Sequence, residues 1–327
     1  MNNNNDKLYN LYLQLEPTIA ELEEERLNST DLKIARNITN LFFFSLKIMW
    51  LSLIGFILSL IFSFLGLKSE EIELLTSFMV FLPIILFLIV GSIDKYLKDQ
   101  FTKKYKYKFK NKIIKEIINL LNQNLEYIAD GYIDKEEFIN SQLFWKPNKY
   151  YYGDDLIQGS ICDCPIWLSD ISAGWSDNDS SKEFSGLLFI AEFNKNISSP
   201  LGTDFGIGKH KVEFDNPEFN KIFNVFSNNI PEAFYALPTN VLERFVLLSK
   251  KSLEKSSIKN QKNVYDFFSV SPIEFSIIQN KLYIAIFKVE GFFEPPIDKS
   301  LFDYSIYEEY LTDLELVFGI VKDLKLA

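Results

Sequence analysis

The chain has 327 residues, a formal net charge of -10, two cysteines and one histidine. Two cysteines are too few for a framework of several disulfide bonds, and this small number fits a reducing compartment. The acidic balance argues against a nucleic-acid or acidic-polymer ligand for the chain as a whole.

Residues 1–40 form the first segment. The asparagine tract Met1–Asn5 predicts disorder, and leucines and isoleucines then recur at helical spacing between Asp6 and Asn40. Pro17 suits the first turn of a helix, so the pattern predicts one broken amphipathic helix or two short ones. Pairing of this helix with another helix, as in a coiled coil, is a hypothesis.

Two uncharged apolar runs, Ile48–Leu67 and Leu74–Ile93, dominate residues 41–93. At about 1.5 Å per residue, each run is long enough for a hydrocarbon core of about 30 Å. A soluble helix buried on one side would instead show a polar face every three or four residues. Because the acidic loop 68–73 is short, the sequence predicts a two-pass transmembrane hairpin with both chain ends on one side.

A lysine-rich stretch follows the second run, with nine lysines and two aspartates between Asp94 and Lys115. The positive-inside rule places this stretch in the cytoplasm, and anionic lipid head groups attract such lysines by about 1 kcal/mol each. Aromatic residues alternate with these lysines, but lipid attraction explains the charge without a nucleic-acid partner. The predicted membrane-surface residues are Lys95, Lys98, Lys103, Lys104, Lys106, Lys108, Lys110 and Lys112.

Residues 94–141 are predicted to be basic juxtamembrane helices. Apolar residues at helical spacing indicate one helix over Lys112–Ala129. A second helix is expected over Asp134–Gln142, where Asp134 and Glu137 have the spacing of a capping box.

Residues 142–327 have the pattern of a separate domain of alternating β-type runs with helices grouped late. The predicted strands are Asp155–Cys162, Pro165–Trp175, Phe184–Phe193, Lys209–Phe214, Phe223–Ser227, Ala233–Leu237, and a hairpin of Ile273–Ile278 and Leu282–Phe287. Predicted helices are Thr239–Lys251 and Ile306–Leu326. Short connections between strands favour an α+β fold with a mainly antiparallel sheet, placed after the transmembrane hairpin and its flanking amphipathic helices.

The residues that could support chemistry do not form a recognisable reaction centre. Cys162 and Cys164 would lie on one face of a strand, and with His210 they are too few for a structural zinc site. The segment Gly202–His210 resembles a phosphate loop only loosely and is interpreted as a glycine-rich loop. Asp154–Asp155 and Glu192 could supply paired carboxylates, although turn and surface positions explain them equally. No cofactor or metal site is therefore predicted.

Six stretches of the soluble part form a recognisable series: Tyr151–Leu156, Phe184–Lys195, Asn216–Val225, Ala236–Arg244, Asn280–Ala285 and Phe293–Pro296. In these stretches and their order, the soluble part resembles the domain of unknown function 3137 family of uncharacterised bacterial proteins. The resemblance implies a two-span membrane protein of the bacterial inner membrane with a cytoplasmic domain, and a helical membrane protein of the LemA type as a partner. It implies no activity and no catalytic residue.

These observations predict a non-enzymatic membrane-anchored module that binds a protein partner or acts as a scaffold at the cytoplasmic face of the inner membrane. One alternative is a metal-dependent enzyme that uses carboxylates of the soluble domain. Another is an envelope assembly or remodelling component. A homo-oligomer is compatible with each function, and no nucleic-acid partner is expected.

Overall fold

The computed structural model describes residues 2–28, 102–144, 146–176, 181–192, 195–203, 206–255, 271–287, 293–296 and 299–326, with scattered positions between 43 and 96. Within these residues, no helix combines the length and the apolar composition that a membrane crossing requires. The predicted spans Ile48–Leu67 and Leu74–Ile93 lie mostly outside the described residues and stay predictions.

The chain divides into two compact units. One comprises residues 1–16, 110–295 and 303–327, and the other comprises residues 17–109 and 296–302. In the second unit Glu23 accepts hydrogen bonds from Arg26 and from the backbone of Leu301, and Lys108 pairs with Glu25 at 2.7 Å. The hydrogen bond from Arg26 holds the pKa of Glu23 below its usual range, although burial acts in the opposite direction.

Helices and strands have the following bounds. The helices are α1 (Asn2–Asn28), a π-helix (Lys110–Ile114), α2 (Lys115–Leu121), α3 (Lys135–Asn140), α4 (Pro217–Ile222), α5 (Ile230–Ala236), α6 (Thr239–Lys255) and α7 (Ser305–Leu326). The strands are β1 (Leu125–Ile128), β2 (Tyr150–Ile161), β3 (Cys164–Ser176), β4 (Ser181–Glu192), β5 (Leu201–Gly202), β6 (His210–Val212), β7 (Val225–Ser227), β8 (Ile273–Ile278) and β9 (Lys281–Phe287).

The described strands form a single sheet in the order β1-β2-β3-β4-β9-β8-β5-β7-β6, and neighbouring strands pair antiparallel. The α+β prediction with a mainly antiparallel sheet is thereby confirmed. Tight turns with positive φ at Cys162–Asp163 and Gln279–Asn280 link β2 to β3 and β8 to β9, as two-residue hairpins require.

Hydrophobic side chains cover both faces of this sheet. On one face, Phe138 of α3 and Phe144 pack on Phe184 of β4, with ring centroids 5.9 and 4.7 Å from it. On the other face, Phe245 of α6 stacks on Phe275 of β8 at 4.5 Å, and Phe189 of β4 lies 6.4 Å from Phe318 of α7. The sheet is therefore buried on both faces, which explains why all six residues of β8 are buried.

Several predicted elements were wrong in type. The helix expected over Lys112–Ala129 is a π-helix followed by α2, and its last part is strand β1, because pairing with β2 buries Leu125 and Tyr127. The strand expected over Ala233–Leu237 lies mostly in helix α5. The Asn229 side chain caps that helix by accepting from the Glu232 backbone N–H.

Other predictions differed in extent. Pro17 does not interrupt α1, which is continuous over Asn2–Asn28. Tyr12 of α1 makes edge-to-face contacts with Tyr304 and Tyr307 at 5.2 and 5.3 Å, so the N-terminal part of this helix packs on α7. The capping box before α3 was also wrong, because the Asp134 side chain makes no cap hydrogen bond.

Candidate functional site

A buried lysine lies at the start of the π-helix. Lys110 is 4% exposed, although the sequence places it among surface lysines. In a π-helix the backbone hydrogen bonds span five residues instead of the four of an α-helix, and such turns often occur at functional sites.

Two consecutive aspartates on β2 face this lysine because the strand is irregular there. The register between β2 and β3 shifts between Asp154 and Ile157, and Asp155 has φ +60°. Such a bulge re-aims side chains, and aspartate tolerates the left-handed conformation better than most residues. Consequently the neighbouring carboxylates of Asp154 and Asp155 both reach the Lys110 ammonium, at 2.6 and 2.7 Å.

Glu294 and Tyr127 complete this cluster. Glu294 lies 3.2 Å from the Lys110 ammonium, and Tyr127 of β1 donates a hydrogen bond to the second oxygen of Asp155. The segment that carries Glu294 is held in place, because Tyr310 donates to the Glu294 backbone carbonyl at 2.8 Å and Phe293 packs edge-to-face on Tyr127. We call Lys110, Tyr127, Asp154, Asp155 and Glu294 the lysine–carboxylate cluster.

Burial and charge shift the pKa values in this cluster. Burial raises the pKa of Asp155 to about 7, and the charge of Asp154 acts in the same direction against the opposing effects of Lys110 and Tyr127. Burial alone would lower the pKa of Lys110, but Asp155, Glu294 and Asp154 outweigh it and raise that pKa above its usual value. Burial and the Asp155 charge raise the pKa of Tyr127. Lys110 is therefore a permanent cation at neutral pH, whereas Asp155 titrates near it.

The same carboxylates could in principle hold a metal ion. One oxygen each of Asp154, Asp155 and Glu294 lies within 4.8 Å of the others, a spacing compatible with shared oxygen coordination. The Lys110 ammonium contacts all three residues, so it occupies the position that a cation would take. A metal could bind there after the ammonium has left.

This arrangement gives a testable expectation for divalent ions. Mg²⁺ or Mn²⁺ should leave the unfolding temperature of the wild-type chain unchanged, because the ammonium competes for the same oxygens. In Lys110→Met the same ions should raise it by several degrees, since a ligand that binds only the folded state stabilises it. Thermal unfolding of both proteins with and without the ion measures this. If the ion changed the unfolding temperature of both proteins equally, the Lys110 ammonium would not compete with the ion for these oxygens.

The other predicted surface lysines have varied environments. Lys103 and Lys104 are exposed, Lys106 and Lys112 are partly buried, and Lys108 pairs with Glu25. Lys95 and Lys98 lie outside the described residues. For Lys110 the prediction of a head-group contact is wrong, because its side chain is buried in the cluster; for the other seven it stays a prediction.

Glu192 does not join Asp154 and Asp155, with which the sequence grouped it. It lies 3.3 Å from the Lys281 ammonium, which also contacts Glu137 at 2.9 Å. Lys281 further lies over the Trp167 ring, 5.8 Å from its centroid. Glu192 therefore belongs to a separate ion pair on the sheet.

The remaining candidates are also separate. Cys162 is exposed in the β2–β3 turn and Cys164 is buried at the start of β3, which corrects their placement on one strand face. His210 is exposed at the start of β6. Gly208 packs against the Ser227 backbone, where an added Cβ would lie 2.4 Å from the nearest atom, so close packing accounts for this glycine.

A second feature is an open sheet edge beside β1. Strand β1 pairs with Leu156–Gly159 of β2 and ends there. Residues Tyr150–Asp154 pair with β3 on one side, and within the described part of the chain no strand pairs with their other side. We call these five residues the open edge. The opposite edge of the sheet, β6, has three residues with His210 and Lys211 exposed, a length and charge that discourage pairing.

Tyrosines make the open edge chemically distinct. Tyr152 is 58% exposed and lies 5.6 Å from Tyr150, whose hydroxyl donates to Glu183. Beside this edge lies a groove of ≈ 440 Å³ lined by Tyr132, Asp134, Lys135, Asn148, Lys149, Tyr150 and Tyr151. Its wall is fixed, because Tyr151 packs on Phe138 and donates to the Ile133 carbonyl at 2.7 Å. An exposed aromatic edge next to a groove is suited to receiving another extended chain.

Sequence reasoning missed most of both features. Asp154 and Asp155 were noted as adjacent acids, but Lys110 and Glu294 are 184 residues apart and nothing local connects them. The three consecutive tyrosines at 150–152 could have indicated that strand β2 begins there, since aromatic residues favour strands. The predicted strand began only at Asp155.

Comparison with known protein families gives a match over part of the chain. Residues 182–326 match the model of a family described as protein of unknown function (DUF3137). The match includes Glu294 and begins after Tyr151–Leu156, a stretch on which the resemblance also rested. No curated protein and no solved structure matched the chain.

Proposed function

We propose that the chain is a membrane-anchored module that binds a protein partner. The family model that residues 182–326 match describes no activity, so the proposal is argued from the geometry. The partner adds an extended segment to the open edge of β2. The anchor is the hairpin predicted for residues 41–93, and the module works at the cytoplasmic face of the bacterial inner membrane. A membrane protein of the LemA type is a candidate partner.

The open edge carries this proposal. An unpaired strand edge offers backbone donors and acceptors in a row, and proteins normally protect such edges with charges, bulges or short length. Here the sequence places exposed Tyr150 and Tyr152 there instead. Tyrosines are enriched at the centres of protein interfaces because a large ring gives contact area at little entropic cost.

The metal-dependent enzyme has weaker support. The observation in favour of such an enzyme is that carboxylate oxygens of Asp154, Asp155 and Glu294 lie within 4.8 Å of one another. Their shared partner is the Lys110 ammonium, which neutralises the charge that would attract a metal.

The test is crosslinking in membranes followed by pull-down of the intact protein. We expect Tyr152→Lys to lower the yield of the crosslinked partner about tenfold. Loss of a tyrosine ring at the centre of an interface often weakens binding by about 2 kcal/mol or more, and about 1.4 kcal/mol already corresponds to a tenfold change in affinity. Leu247→Lys is the matched control, because Leu247 is 55% exposed on α6, away from β2. Equal capture by both variants would refute a role of the open edge in partner binding.

A further inference from the structure

We propose that Lys110 and Asp155 are the site of a self-catalysed modification: the Lys110 side-chain nitrogen condenses with the Asp155 side-chain carboxyl to form an isopeptide bond, and one water is released. Partner binding at the open edge plays no part in this reaction. The two groups are buried in direct contact, and Glu294 and Tyr127 lie where protons and negative charge have to be handled.

The reacting groups are held together in a site that excludes water. The Lys110 Nζ lies 2.7 Å from Asp155 Oδ2, the oxygen bonded to the carbon that the nitrogen attacks. Asp155 is fully buried, Lys110 is 4% exposed, and the buried Phe293 ring packs on Tyr127 beside them. Well-oriented groups held in contact reach effective concentrations of about 10⁵–10⁸ M, which offsets the low reactivity of a carboxyl that has not been activated.

Attack requires an uncharged amine, and Asp155 accepts the first proton. Burial raises the pKa of Asp155 to about 7, so transfer of a proton from the Lys110 ammonium to Oδ2 gives a neutral amine beside a neutral acid. The nitrogen lone pair then forms the bond to Asp155 Cγ, and the π electrons of the carbonyl move to Oδ1. Tyr127 stabilises the negative charge on Oδ1, because its hydroxyl donates a hydrogen bond to that oxygen.

Glu294 moves the second proton. Its carboxylate lies 3.2 Å from Lys110 Nζ, so it can take a proton from the nitrogen and pass it to Oδ2 as the bond between Cγ and Oδ2 breaks. Oδ2 then carries two protons and leaves as water, and Oδ1 remains as the amide oxygen. One ammonium and one carboxylate have become one amide and one water, with no other reactant. Loss of two buried charges favours the amide, because each charge is costly to keep away from water.

Asp154 is the poorer electrophile, although its carboxylate also contacts Lys110, at 2.6 Å. Its side chain is 43% exposed, so water stabilises its ionised form. Asp154 and Glu294 also favour the ammonium form of Lys110, so the bond forms slowly and freshly purified chains are mainly salt-bridged. Only such unlinked chains retain a charged Lys110 and an Asp155 that titrates, so the pH dependence of unfolding belongs to freshly purified protein.

Mass spectrometry of the intact, denatured full chain tests the bond. Freshly purified protein in detergent is kept at neutral pH for several weeks, and a growing fraction of wild-type chains should lose the mass of one water. Tryptic digestion of these chains should give a branched peptide that joins Lys110 to Asp155. Lys110→Met should keep the full mass, whereas Lys115→Met, which changes an exposed lysine, should lose the water as wild type does.

Two further variants test the roles of the neighbouring groups. Glu294→Gln keeps a polar side chain that cannot shuttle the proton, so the rate at which the linked fraction grows should fall about a hundredfold, the smaller part of the usual range for a positioned acid or base. Tyr127→Phe keeps the ring beside Phe293 and should also slow the reaction. The unfolding temperature of each variant shows that the slow rate is not a loss of the fold.

Three results would overturn the inference. The first is a wild-type mass that stays at the value of the sequence throughout the incubation. The second is a loss of water that persists in Lys110→Met, as a succinimide at Asp130–Gly131 would give. The third is an unchanged rate in folded Glu294→Gln and Tyr127→Phe, which would separate the reaction from this geometry.

Discussion

Replacing Lys110 by methionine is expected to destabilise the soluble domain by about 3–5 kcal/mol, the usual cost of removing one partner of a buried ion pair. Methionine fits the space of the lysine stem, so the effect comes from the charge. Without the ammonium, Asp154, Asp155 and Glu294 repel one another, and Asp155 is fully buried. Because Lys110 is 4% exposed, solvent screens this loss little. Thermal or urea unfolding of the full chain in detergent measures it.

Lys115→Met is the control for this prediction. Lys115 is exposed at the start of α2, five residues along the chain, so its replacement should change stability by no more than about 0.5 kcal/mol. Adding Asp155→Asn to Lys110→Met should recover part of the loss, since it removes one of the repelling charges. Equal stability of Lys110→Met and Lys115→Met would mean that the cluster does not stabilise the fold.

The second large effect concerns pH and Asp155. Its pKa is raised from 3.8 to about 7, so the folded state holds a proton that the unfolded state has released between these values. The contribution of this group to stability is therefore complete below pH 3.8 and is lost as the pH rises towards 7, at about 1.4 kcal/mol per pH unit. From pH 5 to 7 this amounts to about 2 kcal/mol, because the slope falls to half of its full value at pH 7.

Asp155→Asn isolates this contribution. Asparagine resembles the protonated acid and tolerates the positive φ at this position, so the variant should gain about 2 kcal/mol of stability relative to wild type between pH 5 and 7. Asp163→Asn is the control, because Asp163 also has positive φ but is exposed on the β2–β3 turn. Unfolding free energies measured at several pH values test this. Parallel pH profiles for wild type and Asp155→Asn would contradict the burial of an ionisable Asp155 next to Asp154.

The cluster also bears on the proposed function. Asp155 directly follows Asp154, which ends the open edge of β2. A change in the protonation of Asp155 therefore acts next to the edge that is proposed to receive a partner. Crosslinking and pull-down of the partner with Asp155→Asn and with wild type at several pH values would measure this coupling.

The sequence by itself determined the elements whose signals are local. The hairpin of β8 and β9, helix α6 and helix α7 were predicted close to their observed bounds, because turn residues and apolar periodicity act within a few residues. The antiparallel α+β class followed from short connections between strands. The apolar runs of residues 41–93 predict a membrane anchor by the same local reasoning.

Only the tertiary structure decided the rest. Leu125–Ile128 follows a helical pattern but becomes a strand because pairing with β2 outweighs its propensity. Lys110 has the local context of a surface lysine, yet it is buried because carboxylates from β2 and from Glu294 converge on it. The open edge exists because β1 ends opposite Leu156 and leaves Tyr150–Asp154 without a neighbour there among the described strands. These outcomes depend on contacts between residues distant in sequence, which no local pattern encodes.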